Sequence, residues 1–157
     1  MLDLSTLAAQ ETAEIPLVHP ATRQEIPGVA VVMYGPGSAQ YVQARARCQA
    51  AIIKLGASSD PDPTEADAHA VQLLVDLTLR MKGLERDGAP IDTPAQIKAI
   101  YSDPAFGWLR EQADRGAVNW ANFLPRASTG SPPTPASLVG DEQPRTAAKP
   151  RVLNPKA

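Results

Sequence analysis

Few residues in this chain have side chains suited to chemistry. Two histidines, His19 and His69, and one cysteine, Cys48, are the only imidazoles and the only thiol. A metal centre needs several such ligands at defined spacing, and these three stand far apart in sequence. A Cys48–histidine pair for nucleophilic catalysis requires the fold to bring the two together. Cys48 occupies an apolar helical position, where a small buried hydrophobe is the simpler reading. Asp60, Asp62, Glu65 and Asp67 form an acidic run. A calcium-binding loop of the EF-hand kind needs a glycine at its sixth position and a distal bidentate Glu, and this run has neither. Carboxylates there suit a helix N-terminus, where the dipole favours them. Gly35-Pro36-Gly37-Ser38 precedes a helix but lacks the Lys-Ser/Thr ending and the glycine spacing of a phosphate loop, so it reads as a turn and a cap. These residues predict no catalytic site, no metal and no cofactor.

The elements that position them are organised around Tyr101–Pro125. That stretch holds both tryptophans, Trp108 and Trp120, and both phenylalanines, Phe106 and Phe123. Phe106, Leu109, Ala113, Ala117, Trp120 and Leu124 recur in steps of three and four, one apolar stripe down a helix. Ser102 or Asp103 caps its start, Pro104 sits in its first turn, and Pro125 ends it. Glu111 and Arg115 form an i,i+4 pair on its outer face. Gly107 and Gly116 are the places where it can break. Trp108 lies off the stripe, which makes it either core through a second surface or an anchor for a partner.

Upstream, residues 1–13 read as a short helix capped by Ser5 or as a loose arm. Glu14–Val18 and Gly28–Tyr34 are the strand-like runs. His19–Pro27 between them has turn chemistry, and Pro16 marks the first strand as an edge. Ser38 caps a helix over Ala39–Leu55, with Tyr41, Ala44, Cys48, Ala51, Ile52 and Leu55 on its apolar face and Gly56 at its C-terminal end. After a linker, Thr64 opens a second helix with Asp67 in a variant capping box. Val71 to Met81 alternates like a strand, whereas Ala70, Leu74, Leu77 and Met81 keep helical spacing. The compromise is helix to about Leu77, then an extended piece near Leu79–Leu84 able to join the hairpin. Arg86–Pro90 is a turn, and Thr93-Pro94-Ala95-Gln96 is a capping box opening a short helix to Tyr101.

The fold expected is α+β: a small two- or three-stranded antiparallel sheet against about four helices, over residues 14–124. From Pro125 onward, 33 residues hold seven prolines and no aromatic, which predicts a disordered tail. Five basic residues there against Asp141 and Glu142 give +3, leaving −5 on the body out of a total of −2. So balanced a charge gives no general case for nucleic acid or an anionic membrane as partner. No apolar run nears the roughly 18 residues of a membrane-spanning helix, and the first residues lack a secretory pattern. One cysteine forms no internal disulfide and fits a reducing compartment. The expectation is a soluble, intracellular protein.

Certain motifs carry a resemblance. Ile15-Pro-Leu-Val-His-Pro-Ala-Thr22 and Val29-Ala-Val-Val-Met-Tyr-Gly-Pro36 make a hairpin pattern. Met81-Lys-Gly-Leu84, Asp87-Gly88, Pro90-Ile91, Pro104-Ala-Phe-Gly-Trp-Leu-Arg-Glu-Gln112 and Trp120-Ala-Asn-Phe-Leu124 follow it. In these the chain resembles the tail assembly chaperones of long-tailed (siphovirus-like) bacteriophages and prophages, over about residues 14–124. It departs from them at Arg23, where a glycine would suit the hairpin turn, and at Met81, where a tryptophan is common. The resemblance implies a non-enzymatic protein of the host cytoplasm that coats the tape measure protein, recruits tail tube subunits and leaves before the virion is complete. Homo-oligomerisation along the client is compatible with that role. A client that is a long amphipathic helix calls for an apolar groove between helices. The expected partner contacts are Trp108, Leu109 and Arg110, with Trp120 and Phe123 nearer the core, and the tail from Arg126 is the expected recruiting arm. The rival reading is a structural neck or tail-tube-associated component retained in the particle.

Overall fold

The structure, a computed structural model, describes residues 3–60 and 62–125. The expected tail and recruiting arm, residues 126–157, lie outside the described residues. Among those described, a 3-10 turn at Leu4–Leu7 leads into β1 (Thr12–Val18), β2 (Glu25–Tyr34), α1 (Ala39–Gly56), α2 (Pro63–Leu77), β3 (Thr78–Lys82), β4 (Glu85–Arg86), β5 (Ala89–Pro90), α3 (Pro94–Ser102) and α4 (Gly107–Val118). The architecture is α+β, with an antiparallel sheet in the order β1-β2-β3 and a separate two-stranded ribbon β4-β5.

Alternation along the strands decides how the sheet is used. Ile15 and Leu17 of β1, Val31 and Met33 of β2 and Met81 of β3 are buried in one continuous core. Glu14 and Lys82, on the two outer strands, bridge the exposed surface with a 2.8 Å ion pair. One wetted and one covered face is the usual state of an antiparallel sheet. Helix α4 packs against β1 and β2, α2 and α3 against β3, and α1 against α2.

The hairpin is longer than the composition suggested. β1 begins at Thr12 and β2 at Glu25, with Val18 paired to Glu25, so Glu25, Ile26 and Pro27 belong to the strand and not to the turn. The turn tightens to His19–Gln24, where His19 N–H donates to the Gln24 carbonyl and Arg23 N–H to the His19 carbonyl. Gly28, at φ +75°, lets the strand pass Pro27 with a conformation open to glycine. Pro16 does sit on an edge strand, beside a register shift.

Ser38 caps α1 as its position implies: its hydroxyl accepts the Tyr41 N–H and donates to the Gly35 carbonyl. Only Tyr41 and Ala44 of the expected face are buried, however, and Ile52 is exposed. A helix resting chiefly on one neighbour covers a narrow strip. At α2 the cap is Asp62, not Thr64. Pro63 takes the first helical position, where its missing N–H is harmless, and the Thr64 N–H and hydroxyl both donate to Asp62. These bonds hold the Asp62 carboxyl below the usual carboxylate range. The ambiguous stretch resolves as helix to Leu77 followed at once by β3, which pairs with β2. Both residues of the Asp87-Gly88 turn have positive φ, 54° and 78°, as a two-residue hairpin of type I′ requires. The Thr93/Gln96 capping box is present.

The aromatic stretch is where expectation and structure part most. It is not one helix. Asp103 caps a 3-10 turn at Pro104–Phe106, α4 follows, and the chain leaves helix at Asn119 (ψ 103°), whose side chain caps a further 3-10 turn at Trp120–Asn122. An Asn side chain that binds a nearby backbone N–H competes with the helix itself. The break allowed near Gly107 is there, at Phe106 between the 3-10 turn and the start of α4, whereas Gly116 is not one. Gly116 is buried in α4, and a Cβ there would lie 2.7 Å from the Ile15 side chain. The turn at Asn119 throws Trp120 and Leu124 off the stripe into solvent, with Trp120 52% exposed, and drives Phe123 into the core in their place. The Phe123 ring covers Gly35 so closely that a Cβ would lie 2.2 Å from it.

Thr78, at the α2–β3 junction, donates to the Leu74 carbonyl, so the buried Tyr101 hydroxyl donates to Thr78 across 2.9 Å. Burial pushes the Tyr101 phenol up to about 12. In the unfolded chain the phenol ionises near 10. Between these values the unfolded state binds fewer protons, so stability present below about pH 10 is lost as pH rises towards 12. Urea unfolding across that range will show wild type losing roughly 2 to 3 kcal/mol more than Tyr101→Phe. Gly35→Ala will lower the unfolding free energy by about 1 to 3 kcal/mol through overpacking against Phe123. Gly107→Ala, where a Cβ meets nothing within 4 Å, will leave it unchanged or raised, by at most about 1 kcal/mol.

Candidate functional site

Helix α4 forms a ridge between two open clefts. Its inner stripe, Leu109, Ala113, Gly116 and Ala117, is buried. Small residues let the helix lie close on the sheet, and the residues flanking the stripe therefore stand at the mouths of the clefts. Arg110 and Trp108 are the two that matter.

On the α2 side the cleft holds about 400 Å³ and has an apolar floor of Ala70, Leu73 and Leu74, with Gly107 and Arg110 on the α4 wall and Asp114 at the rim. Arg110 crosses it to Asp67 of α2 with two bonds of 2.7 and 3.3 Å. That pairing holds the Asp67 carboxyl below its usual range. Asp67 is largely exposed, so the pair orients the two side chains more than it stabilises the fold.

On the β1–β2 side a cleft of about 440 Å³ lies between the turn residues His19, Pro20 and Arg23 and the α4 residues Trp108, Gln112 and Arg115. Glu111 touches both clefts and pairs with Arg115. Gln112 fixes the two walls together. Its amide oxygen accepts the Val18 N–H at 2.8 Å and its NH₂ donates to the Val18 carbonyl at 2.7 Å, as a neighbouring strand would. Trp108 is half-buried and packs on the core while keeping one side in the cleft.

The other residues with chemical potential are not gathered into one place. His19 Nδ1 accepts the N–H groups of Ala21 and Thr22, at 3.2 and 3.3 Å, and so serves the turn. The fold does bring Cys48 to His69, but to its backbone: the thiol lies 3.6 Å from the His69 carbonyl oxygen. Of the acidic run, Asp62 caps α2 and Asp67 pairs with Arg110. Among the described residues no group of three or more His, Cys, Asp or Glu is placed to hold a metal ion, and no helix is long and apolar enough to cross a membrane.

The sequence-expected contact residues fall into two sets. Trp108, Arg110 and Trp120 are accessible, whereas Leu109 and Phe123 are buried in the core. A buried side chain shapes the surface without touching a partner, so Leu109 supports the ridge and Phe123 anchors the chain beneath Gly35. Gln112 was legible only as part of a resemblance motif, because nothing in its immediate sequence shows that Val18 lies opposite. Comparison with protein-family models, curated proteins and solved structures returns no match.

Replacing Gln112 by Ala removes both bonds to Val18 and leaves its backbone groups to water. The expected cost is about 1 to 3 kcal/mol. Hydrogen exchange at the Val18 amide will accelerate by more than the global stability loss accounts for.

Proposed function

We propose that this protein acts without catalysis, as a tail assembly chaperone of a long-tailed bacteriophage or prophage that holds a long helical tape measure protein in soluble form in the host cytoplasm and brings tail tube subunits to it. The observation that carries the proposal is the ridge of α4 between two open clefts. Two side chains singled out for partner contact, Trp108 and Arg110, stand one at each cleft, and Leu109 between them is tied into the core. A ridge flanked by grooves suits the side chains of an amphipathic helix, which project from it at successive turns. Half-buried Trp and paired Arg are the residue types that concentrate binding energy at such surfaces.

Three further features support the reading. The motifs that carry the resemblance occupy fold-defining places: the His19–Gln24 turn, the Asp87-Gly88 turn, Gln112 against Val18 and Phe123 beneath Gly35. Arg23, which departs from the motif where a glycine would suit the turn, has φ +59°. Val118, Trp120 and Leu124 are exposed apolar side chains at and just after the end of α4, where a partner's apolar residues can pack.

Co-expression with a tape measure protein tests the proposal. The expected outcome is a soluble complex recovered by pull-down, weakened by Arg110→Ala with the thermal midpoint little changed, and absence of the chain from mature particles. A chain retained in particles at fixed stoichiometry overturns the proposal in favour of a structural component. A tape measure protein that stays insoluble in its presence overturns it outright.

A further inference from the structure

The cleft between the β1–β2 turn and α4 is bordered by residues whose donors are open to solvent. Arg23 forms no ion pair among the described residues, although it stands at the mouth of the cleft. It holds the left-handed φ of +59°, which costs a non-glycine residue about 1 kcal/mol or more. His19 accepts two backbone N–H groups at Nδ1, so its neutral ring carries the proton on Nε2, away from the turn. Among the described residues the Trp108 indole N–H has no acceptor and no buried side-chain nitrogen lacks a partner, so that N–H is open to solvent. The one carboxylate at the cleft, Glu111, is already engaged by Arg115.

The side chains of Arg23, His19 and Trp108, each carrying a donor, therefore border one concavity, with Pro20 beside them. We infer that this cleft is the receptor for an acidic side chain, Asp or Glu, that neighbours an apolar residue on a helical protein segment. The carboxylate takes the charged bond from Arg23, with His19 and Trp108 as further donors, and the apolar neighbour packs on the indole. The complementarity is local, because the body carries net negative charge. The Gln112 clamp holds the end of β1 against α4, which keeps the two walls of the cleft in place. This inference rests on the proposed function, in that it names the chemistry of the client segment.

The experiment uses the full chain carrying Trp120→Phe, which leaves Trp108 as its only tryptophan. Emission is followed while adding a short acetylated and amidated helical peptide with a face of Leu and Glu, and then its counterpart with Lys in place of Glu. The acidic peptide will change Trp108 emission saturably, and the Lys peptide will not. Arg23→Gln will weaken binding roughly tenfold, as expected for a lost charged hydrogen bond. Arg23→Gly will weaken it equally while stabilising the fold by removing the strained φ, which separates binding from folding. Equal response to both peptides, or undiminished binding by Arg23→Gln, overturns the inference. Displacement of the acidic peptide by millimolar inorganic phosphate also overturns it, by assigning the cleft to phosphate groups. The two readings fail separately. A captured client with a silent acidic peptide removes the cleft assignment alone, and a bound peptide with an insoluble client removes the chaperone alone.

Discussion

Helix α4 lies so close to the sheet that Gly116 leaves no room for a methyl group beside Ile15. Much else follows from that approach. A closely seated helix can bury Leu109, Ala113 and Ala117 with little bulk, and it lowers Gln112 to hydrogen-bonding distance of the Val18 backbone. It also leaves Trp108 and Arg110 straddling the contact, each at the edge of a cleft and neither in the core. The site is thus a by-product of packing geometry, made where small residues let a helix settle and large ones overhang.

Local chemistry was legible wherever a residue acts on its near neighbours. Ser38, the Thr93/Gln96 box, Asp103 before Pro104 and the Asp87-Gly88 turn all have the structures their types imply, because capping and turn formation involve residues a few positions apart. Arg23 shows the same from the opposite side: a position that looked suited to glycine does take glycine's conformation. What stayed hidden depends on distant partners. Periodicity carried the aromatic stripe through Trp120 and Leu124, but the Asn119 cap turns the chain, and Phe123 finds its place only because Gly35 lies opposite. Ile52 belongs to the right helical face, yet α1 has too little beside it to cover that residue. Asp62 outranked Thr64 as a cap because Pro63 selects the start of α2.

The site was legible in part, for the same reason. Trp108 stood out by lying off the stripe, with Arg110 named beside it among the expected contacts. Leu109 and Phe123 shared their neighbourhood in sequence but not their exposure. Gln112, Arg23 and His19 complete the cleft, and none of them is informative alone. The turn and the helix that carry them are nearly a hundred residues apart, as the 94-residue separation of Val18 and Gln112 records.

The end of β1 has a further consequence for behaviour at high concentration. An outer strand with free N–H and C=O groups is a template on which a second molecule can stack, the first step towards amyloid-like assembly. Pro16 supplies no N–H, the register slips beside it, and the Gln112 amide occupies both backbone groups of Val18. The end of that outer strand, from Pro16 to Val18, is closed to strand addition by its own sequence. The same glutamine that steadies the cleft thereby guards against self-aggregation, with no separate device needed for each.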